Sequence, residues 1–134
     1  MKILLDTHIF LWFITANKRL SDEYIDSISN KNNDVYLSVA SIWECIIKQQ
    51  IGKLNFPQEA SEYLSQKRLL HNINSLSIDE NSLKHLAKLP KIHNDPFDRI
   101  IICQSLEHKM VLITVDKKIK KYKRINLQIL QFKI

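Results

Sequence analysis

Short apolar runs alternate with segments of helical periodicity along the whole chain of 134 residues. The apolar runs predict buried strands over residues 2–5, 35–37, 73–78, 110–114 and 125–129. The segments between them predict helices that begin near residues 7, 22, 39, 57, 79 and 96. Strands that alternate with helices favour a mostly parallel sheet covered on both faces. We therefore expect a single α/β domain over residues 1–134, with a central mostly parallel sheet flanked by helices.

Residues with strong local preferences mark several helix ends. Asp95 followed by Pro96 predicts a helix start, because aspartate caps N-termini and proline is favoured at the first helical position. Thr7 predicts the N-cap of the first helix, and Pro57 predicts the start of the fourth. Gly52, the only glycine, predicts the end of the third helix. The helix after Pro96 contains an apolar run, so we expect it to be buried on most sides.

The composition excludes several classes of protein. A hydrophobic fraction of 45% can form a core, whereas a single glycine argues against a glycine-rich phosphate loop. No apolar run reaches the length of a membrane span, and Asp6 interrupts the apolar N-terminal stretch, so we expect neither a membrane helix nor a signal peptide. Cys45 and Cys103 stand alone, which is typical of free thiols in a cytoplasmic protein.

The positive charge of the chain is concentrated near its C-terminus. Of the net charge of +6, all is accounted for by six cations within residues 117–124, a segment without any acid. These cations are Lys117, Lys118, Lys120, Lys121, Lys123 and Arg124. Such a cluster indicates a polyanionic partner such as nucleic acid or an acidic protein tail. A solvated helix face would give the same pattern, and charge alone leaves both interpretations open.

Four acids fall where a parallel sheet would bring them together. Asp6 directly follows the first strand, Asp116 follows the strand at 110–114, and Glu44 and Asp98 lie early in two helices. Reactive groups gather at the carboxyl ends of the strands in such folds. We expect these carboxylates to converge without lysine or arginine partners and to raise one another's pKa values. That arrangement favours a hard cation, Mg²⁺ or Mn²⁺, as its counter-charge.

Each acid also has a purely structural interpretation when it is taken alone. Asp98 could be a first-turn acid that the helix dipole favours, and Asp6 could be an N-cap. Ser41 and Glu44 match a capping box, and Asp116 could be a turn residue. These interpretations do not explain why all four acids fall at strand-end positions of one sheet. An acidic pocket on an otherwise basic surface suits a metal-dependent nuclease.

Other chemistries find less support in the sequence. The histidines lack zinc-binding spacings, and no nucleophile elbow of the GxSxG type is present. We expect Trp12, Trp43 and Phe97 to be core residues. Tyr122, inside the basic segment, is either a core residue or a side chain that stacks on a base.

The chain resembles the PIN-domain ribonucleases and, within them, the VapC-like toxins of bacterial type II toxin–antitoxin pairs. Matching motifs occur in the same order and spacing over nearly the whole chain. They are Leu4-Leu5-Asp6-Thr7-His8, Ser38-Val39-Ala40-Ser41-Ile42-Trp43-Glu44, His93-Asn94-Asp95-Pro96-Phe97-Asp98-Arg99 and Leu112-Ile113-Thr114-Val115-Asp116.

The resemblance implies a role for each matching residue. Asp6, Glu44, Asp98 and Asp116 are similar to the family's acidic quartet around one or two Mg²⁺ or Mn²⁺ ions, with Asp6 and Asp98 as the strongest ligands. Thr114 is similar to the hydroxyl residue that supports the site. Family members hydrolyse the RNA backbone, commonly form homodimers and are silenced by a cognate antitoxin. Asp95 matches the toxin motif but not the quartet, so we interpret it as an N-cap.

These observations predict a cytoplasmic, metal-dependent endoribonuclease that acts as a toxin. The carboxylates would hold the ion and help to deprotonate the attacking water, and the basic segment would bind the RNA backbone. One alternative is a PIN-like nuclease for RNA processing or DNA flaps without a toxin role. A second is a binding module for RNA or protein that lacks catalysis.

Overall fold

A computed structural model gives the protein a central sheet of five strands and describes residues 1–122 and 127–130. The strands are β1 (Lys2–Leu5), β2 (Asp34–Ser38), β3 (Asn74–Leu76), β4 (Val111–Ile113) and β5 (Ile129–Leu130). Their order in the sheet is β3-β2-β1-β4-β5, and every neighbouring pair is parallel. The predicted α/β class with a parallel sheet is confirmed.

Helices connect the strands and cover the sheet. They are α1 (Thr7–Ile14), α2 (Asp22–Ser29), α3 (Val39–Gln50), α4 (Ala60–Leu70), α5 (Glu80–Lys84) and α6 (Pro96–His108). Short 3₁₀ turns follow at His85–Ala87 and Ile119–Lys121. Among the described residues, no helix is long and apolar enough to cross a membrane.

The alternating side chains of β1 divide the core into two layers. Ile3 and Leu5 point into a cluster that includes Phe10 of α1 and residues of α2, α3 and α4. Leu4 points the other way, into a cluster that includes Ile102 of α6. These three side chains of β1 are fully buried, as expected for a strand at the centre of a sheet with helices on both faces.

The start of α6 forms as its local sequence predicts. Asp95 is the N-cap, and its Oδ1 accepts hydrogen bonds from the backbone N–H groups of Phe97 at 2.9 Å and Asp98 at 3.3 Å. Pro96 occupies the first helical position, where its missing N–H costs nothing. The side chain of Asp98 is therefore not needed to cap the helix.

One predicted N-cap and one predicted helix start are wrong. The N-cap of α1 is Asp6 rather than Thr7, because the Asp6 side chain accepts from the backbone N–H of His8. Helix α4 begins at Ala60 rather than at Pro57. Ala60 is fully buried and its backbone N–H donates to the Gln49 side chain at 2.8 Å, so a contact with α3 sets this boundary.

The last strand lies at the edge of the sheet, as predicted. It pairs with β4 through Ile129 and Leu130, which places it later than the predicted range of 125–129. Residues 125 and 126 of that range lie outside the described residues.

Candidate active site

The acidic residues lie at the carboxyl edge of the sheet, beside its central strand. Asp6 directly follows β1, and Asp116 follows β4, which is the neighbour of β1 on one side. Glu44 lies in α3, the helix that follows β2 on the other side, and Asp98 lies in the first turn of α6. After β1 the chain adds β2 and β3 on one side of this strand, and it later adds β4 and β5 on the other side. Such a reversal in strand order forms the crevice where parallel sheets bind their ligands.

Asp6 is almost fully buried and is held by two hydrogen bonds. Its Oδ1 accepts from the backbone N–H of His8 at 3.0 Å, and its Oδ2 accepts from the hydroxyl of Thr114 at 2.6 Å. Burial raises the pKa of Asp6, the two hydrogen bonds oppose that rise, and the charge of Asp116 adds to it. The carboxylate is therefore fixed in orientation while its negative charge remains costly.

Asp98 also has a strongly perturbed carboxyl group. Burial raises its pKa to about 7, and the negative charges of Asp6, Asp95 and Glu44 contribute to the rise. The negative charges of Asp6 and Glu44 act on Asp98, and that of Asp116 acts on Asp6, so the four predicted acids interact electrostatically at the carboxyl edge of the sheet. The expectation that they raise each other's pKa holds for Asp6 and Asp98.

Glu44 is buried inside α3 and does not form a capping box. The N-cap of α3 is Ser38, so Ser41 and Glu44 both lie within the helix. Thr7 donates to Glu44 Oε1 at 2.8 Å, and Lys48 Nζ lies 2.7 Å from Oε2. The expectation of acids without cationic partners is therefore wrong at this position. The i, i+4 spacing of Glu44 and Lys48 is a sequence signal that could have revealed the pair.

Asp116 is held by groups of its own segment and by His93. Its backbone N–H donates to Thr114 Oγ1 at 3.0 Å, and its Oδ1 accepts from the backbone N–H of Lys118 at 2.8 Å. Its Oδ2 lies 2.9 Å from His93 Nε2. Burial acts to raise the pKa of Asp116, but the hydrogen bonds from His93 and Lys118 outweigh it and the pKa is lowered. Thr114 thus links two of the acids through one hydroxyl.

His93 is a member of this cluster that the sequence analysis did not assign. Its Nε2 lies 3.1 Å from Asp98 Oδ2 as well as 2.9 Å from Asp116 Oδ2. The three side chains offer atoms within 4.8 Å of one another. Zinc-type spacings reveal histidines that lie close together in the sequence, whereas His93 is a single histidine whose neighbours come from other elements. Its position at the head of the 93–99 motif was the only sequence signal.

Trp43 lies in a different environment from the predicted one, and the burial of Tyr122 decides between its two interpretations. Trp43, expected in the core, is 56% exposed and packs edge-on against the half-buried Phe97, with ring centroids 5.0 Å apart. Tyr122 is 1% exposed, and its hydroxyl donates to the Pro90 carbonyl at 3.0 Å. Tyr122 is therefore a core residue, and the base-stacking alternative is wrong.

The described part of the basic segment follows directly after Asp116 in the chain. Lys117, Lys118 and Lys121 are exposed. Lys123 and Arg124 lie outside the described residues, as does the side chain of Lys120. The stretch that follows Asp116 therefore carries a positively charged surface at these three lysines.

The donor set fits a hard divalent cation. Carboxylate oxygens reach the cluster from four different elements of the chain, and oxygen ligands are those that Mg²⁺ and Mn²⁺ prefer. Burial, together with the negative charges around it, raises the pKa of Asp98 to about 7. A cation among these groups would relieve the repulsion between the carboxylates. Among the described residues, the group that could hold an ion contains one histidine and no cysteine, unlike the sulfur and paired histidine ligands typical of zinc sites.

Comparison with known proteins identifies one sequence family. The family described as PIN domain matches residues 3–125. No curated protein sequence matches the chain.

Several solved structures share the fold over nearly the whole chain. VapBC2 from Rickettsia felis, bound to a DNA fragment from their promoter, has a TM-score of 0.68 at 19% identity and covers 99% of this chain and 100% of that chain. VapBC-1 from nontypeable Haemophilus influenzae has a TM-score of 0.65 at 24% identity, with 97% of each chain covered. VapBC-5 from Mycobacterium tuberculosis, a member of the VapBC family of toxin-antitoxin systems, has a TM-score of 0.57 at 15% identity and covers 96% and 95%.

Proposed function

The chain belongs to the PIN domain family, and from this premise we propose that it is a metal-dependent endoribonuclease that acts as the toxin of a type II toxin–antitoxin pair. The observation that carries the proposal is the convergence of Asp6, Glu44, Asp98 and Asp116 at the carboxyl edge of the sheet. A structural role explains each acid singly, but it does not explain why burial and like charges oppose the ionisation of both Asp6 and Asp98.

Mg²⁺ or Mn²⁺ is the proposed cofactor, held by Asp6, Glu44, Asp98 and Asp116. Such an ion lowers the pKa of a bound water and offsets the negative charge that develops on phosphorus. Thr114 keeps Asp6 Oδ2 in place and fixes the Asp116 backbone, so the hydroxyl supports two ligands at once. Thr7 holds Glu44 Oε1 in the same manner.

The carboxylates also accept the proton of the attacking water. Lys48 neutralises one oxygen of Glu44 and so limits the repulsion within the cluster before a cation arrives. The buried helix α6 fixes the position of the Asp98 carboxyl group. That carboxyl group is free for other contacts, because the Asp95 side chain caps the first turn. Rigid placement of this kind lowers the cost of organising the reactants.

The proposed substrate is RNA, bound through its backbone by Lys117, Lys118, Lys120, Lys121, Lys123 and Arg124. The exposed lysines among them follow directly from the ligand Asp116. Phosphate contacts of this type release counterions and weaken steeply with salt.

We expect Lys117→Gln/Lys118→Gln to weaken RNA binding and to flatten its salt dependence. The slope of log K against log salt should fall by about 1.4, since each phosphate contact on a single strand contributes roughly 0.7. Fluorescence anisotropy over a salt series measures this, with every protein carrying Asp98→Asn so that the RNA is not cut. The matched control is Lys2→Gln/Lys31→Gln. It removes the same charge from exposed positions near the amino ends of β1 and β2, away from the carboxyl ends that carry the acids. An equal change in both pairs would show a net-charge effect and would contradict a binding role for the segment.

The toxin role, the antitoxin partner, the homodimer and the cytoplasmic location are parts of the same proposal. They are supported by family membership and by the similarity of the fold to VapBC complexes. Induced expression in a bacterial host should arrest growth, and co-expression of a small protein encoded beside the gene should restore it. The absence of such a neighbour would favour the alternative of an RNA-processing or DNA-flap nuclease.

A cleavage assay tests the enzymatic part of the proposal. The protein should cut mixed RNA oligonucleotides with Mn²⁺ or Mg²⁺, lose that activity in EDTA and leave matched single-stranded DNA uncut. Sequencing of the products would map the cut sites. Tight RNA binding without metal-dependent cleavage would instead favour the non-catalytic binding module.

A further inference from the structure

His93 lies between two carboxylates of the acidic cluster, although it is not one of the four predicted acids. Its side chain is only 10% exposed, and its Nε2 lies 2.9 Å from Asp116 Oδ2 and 3.1 Å from Asp98 Oδ2. Two carboxylate oxygens thus approach one imidazole nitrogen. What the histidine contributes depends on whether that nitrogen carries a proton.

The other ring nitrogen fixes the position of the proton. The backbone N–H of Asp95 donates to His93 Nδ1 at 3.2 Å. Because a backbone N–H can only donate, Nδ1 carries no hydrogen and the neutral ring has its proton on Nε2. The Nε2–H therefore donates to Asp116 Oδ2 and lies beside Asp98 Oδ2. A protonated nitrogen has no free lone pair, so in this orientation the ring is not a metal ligand.

The backbone of His93 is held on both sides. Its N–H donates to the buried hydroxyl of Tyr122 at 2.8 Å, and its carbonyl accepts from Arg99 Nη1 at 3.2 Å. Tyr122 follows β4 and Arg99 belongs to α6, so the two elements that carry Asp116 and Asp98 also hold the histidine. The ring is therefore placed by the same framework as the acids it contacts.

On the basis of the proposed function, we propose that His93 is a positioning residue whose Nε2–H holds Asp116 and Asp98 side by side for a divalent cation, without binding the cation itself. Two carboxylates that face each other would otherwise turn apart to reach water. A hydrogen-bond donor between them offsets their repulsion and leaves their remaining oxygens free. Groups that orient metal ligands in this manner commonly affect metal affinity by about 10- to 100-fold.

The first test concerns the metal-free protein and requires no activity. Long-range ¹H–¹⁵N correlation spectra of histidine-labelled protein distinguish the two neutral tautomers of each ring. The proposal requires the Nε2–H tautomer for His93, assigned by loss of its signals in His93→Gln. The Nδ1–H tautomer would leave a lone pair facing the acids and would overturn the proposal.

The second test compares two variants that divide the contacts of the ring. Glutamine can place an amide N–H near the position of Nε2, whereas asparagine can accept from the Asp95 N–H but is too short to reach the acids. In calorimetric titrations with Mn²⁺, we expect His93→Gln to bind within a few-fold of the wild type and His93→Asn to bind about 10- to 100-fold more weakly. Equal binding by the wild type and His93→Asn would overturn the proposal.

The two proposals fail in different ways. If the wild type binds Mn²⁺ and the variants follow the expected order, but no RNA is cut, the endoribonuclease is contradicted and the positioning role stands. If His93→Gln and His93→Asn lose affinity equally, the positioning role is contradicted, whatever the wild type does to RNA. Circular dichroism of each variant separates these results from loss of the fold.

Discussion

Asp98→Asn is expected to lower metal-dependent RNA cleavage by about 100-fold or more, an effect similar to the removal of other preorganised electrostatic groups from active sites. The substitution keeps the shape of the side chain but removes the charge that would hold the cation. Helix α6 should form as before, because Asp95 supplies its N-cap and Pro96 its first position. Initial rates on a labelled RNA at saturating Mn²⁺ measure the effect.

The same helix offers a matched control. Glu107 lies in the last turn of α6, where it pairs with His85 at 3.4 Å, far along the helix from Asp98. Glu107→Gln removes a carboxylate from the same element and should leave the cleavage rate unchanged. Cleavage by Asp98→Asn at the wild-type rate would contradict the assignment of the active site.

A second large effect is expected on stability in the absence of metal. The pKa of Asp98 rises from 3.8 to about 7 on folding because of burial and the charges of Asp6, Asp95 and Glu44. A raised carboxyl pKa means that the folded state binds a proton more tightly than the unfolded state does. Between those two pKa values the free energy of unfolding therefore falls as the pH rises, and it levels off above the folded pKa.

The magnitude and its measurement follow from this linkage. The wild type should lose about 2 to 4 kcal/mol of unfolding free energy between about pH 4 and about pH 8 through this group. Asp98→Asn cannot titrate and resembles the protonated wild type, so in EDTA its stability should be close to that of the wild type at the acid end and higher than that of the wild type at the alkaline end. Urea unfolding across the pH range measures both proteins.

Metal provides the control for this prediction. Saturating Mn²⁺ should stabilise the wild type more than Asp98→Asn at alkaline pH, because only the folded wild type offers the complete donor set. The same pH dependence in both proteins would show that the loss of stability arises elsewhere. Asp6 has a raised pKa as well, and because its charge interacts with that of Asp98, its titration contributes to the difference between the two proteins.

Local sequence signals predicted the framework of the site. The apolar runs gave β1 and β4, and the Asp95–Pro96 pair gave the start of α6, because capping and burial depend on residues close in sequence. The parallel sheet followed from the alternation of strands and helices, and it predicted which edge would carry the acids. These features position Asp6 and Asp98 without any knowledge of tertiary contacts.

Features that depend on contacts between distant segments were missed. The hydroxyl of Thr7 donates to Glu44, which lies 37 residues later, and Asp6 rather than Thr7 is the N-cap of α1. His93 approaches Asp116 from a loop 23 residues earlier, and no spacing rule describes such a contact. Trp43 is apolar and was expected in the core, but the face of α3 beside Phe97 leaves it exposed.

The most direct measurement of the central claim is the location of Mn²⁺ in crystals of the protein. An anomalous difference map recorded at the manganese absorption edge should show its strongest peak among the carboxylates of Asp6, Glu44, Asp98 and Asp116. Crystals of Asp98→Asn treated in the same way should show a much weaker peak or none. A map of the wild type with no peak in this cluster, or with its strongest peak elsewhere, would contradict the assignment of these acids to a metal centre.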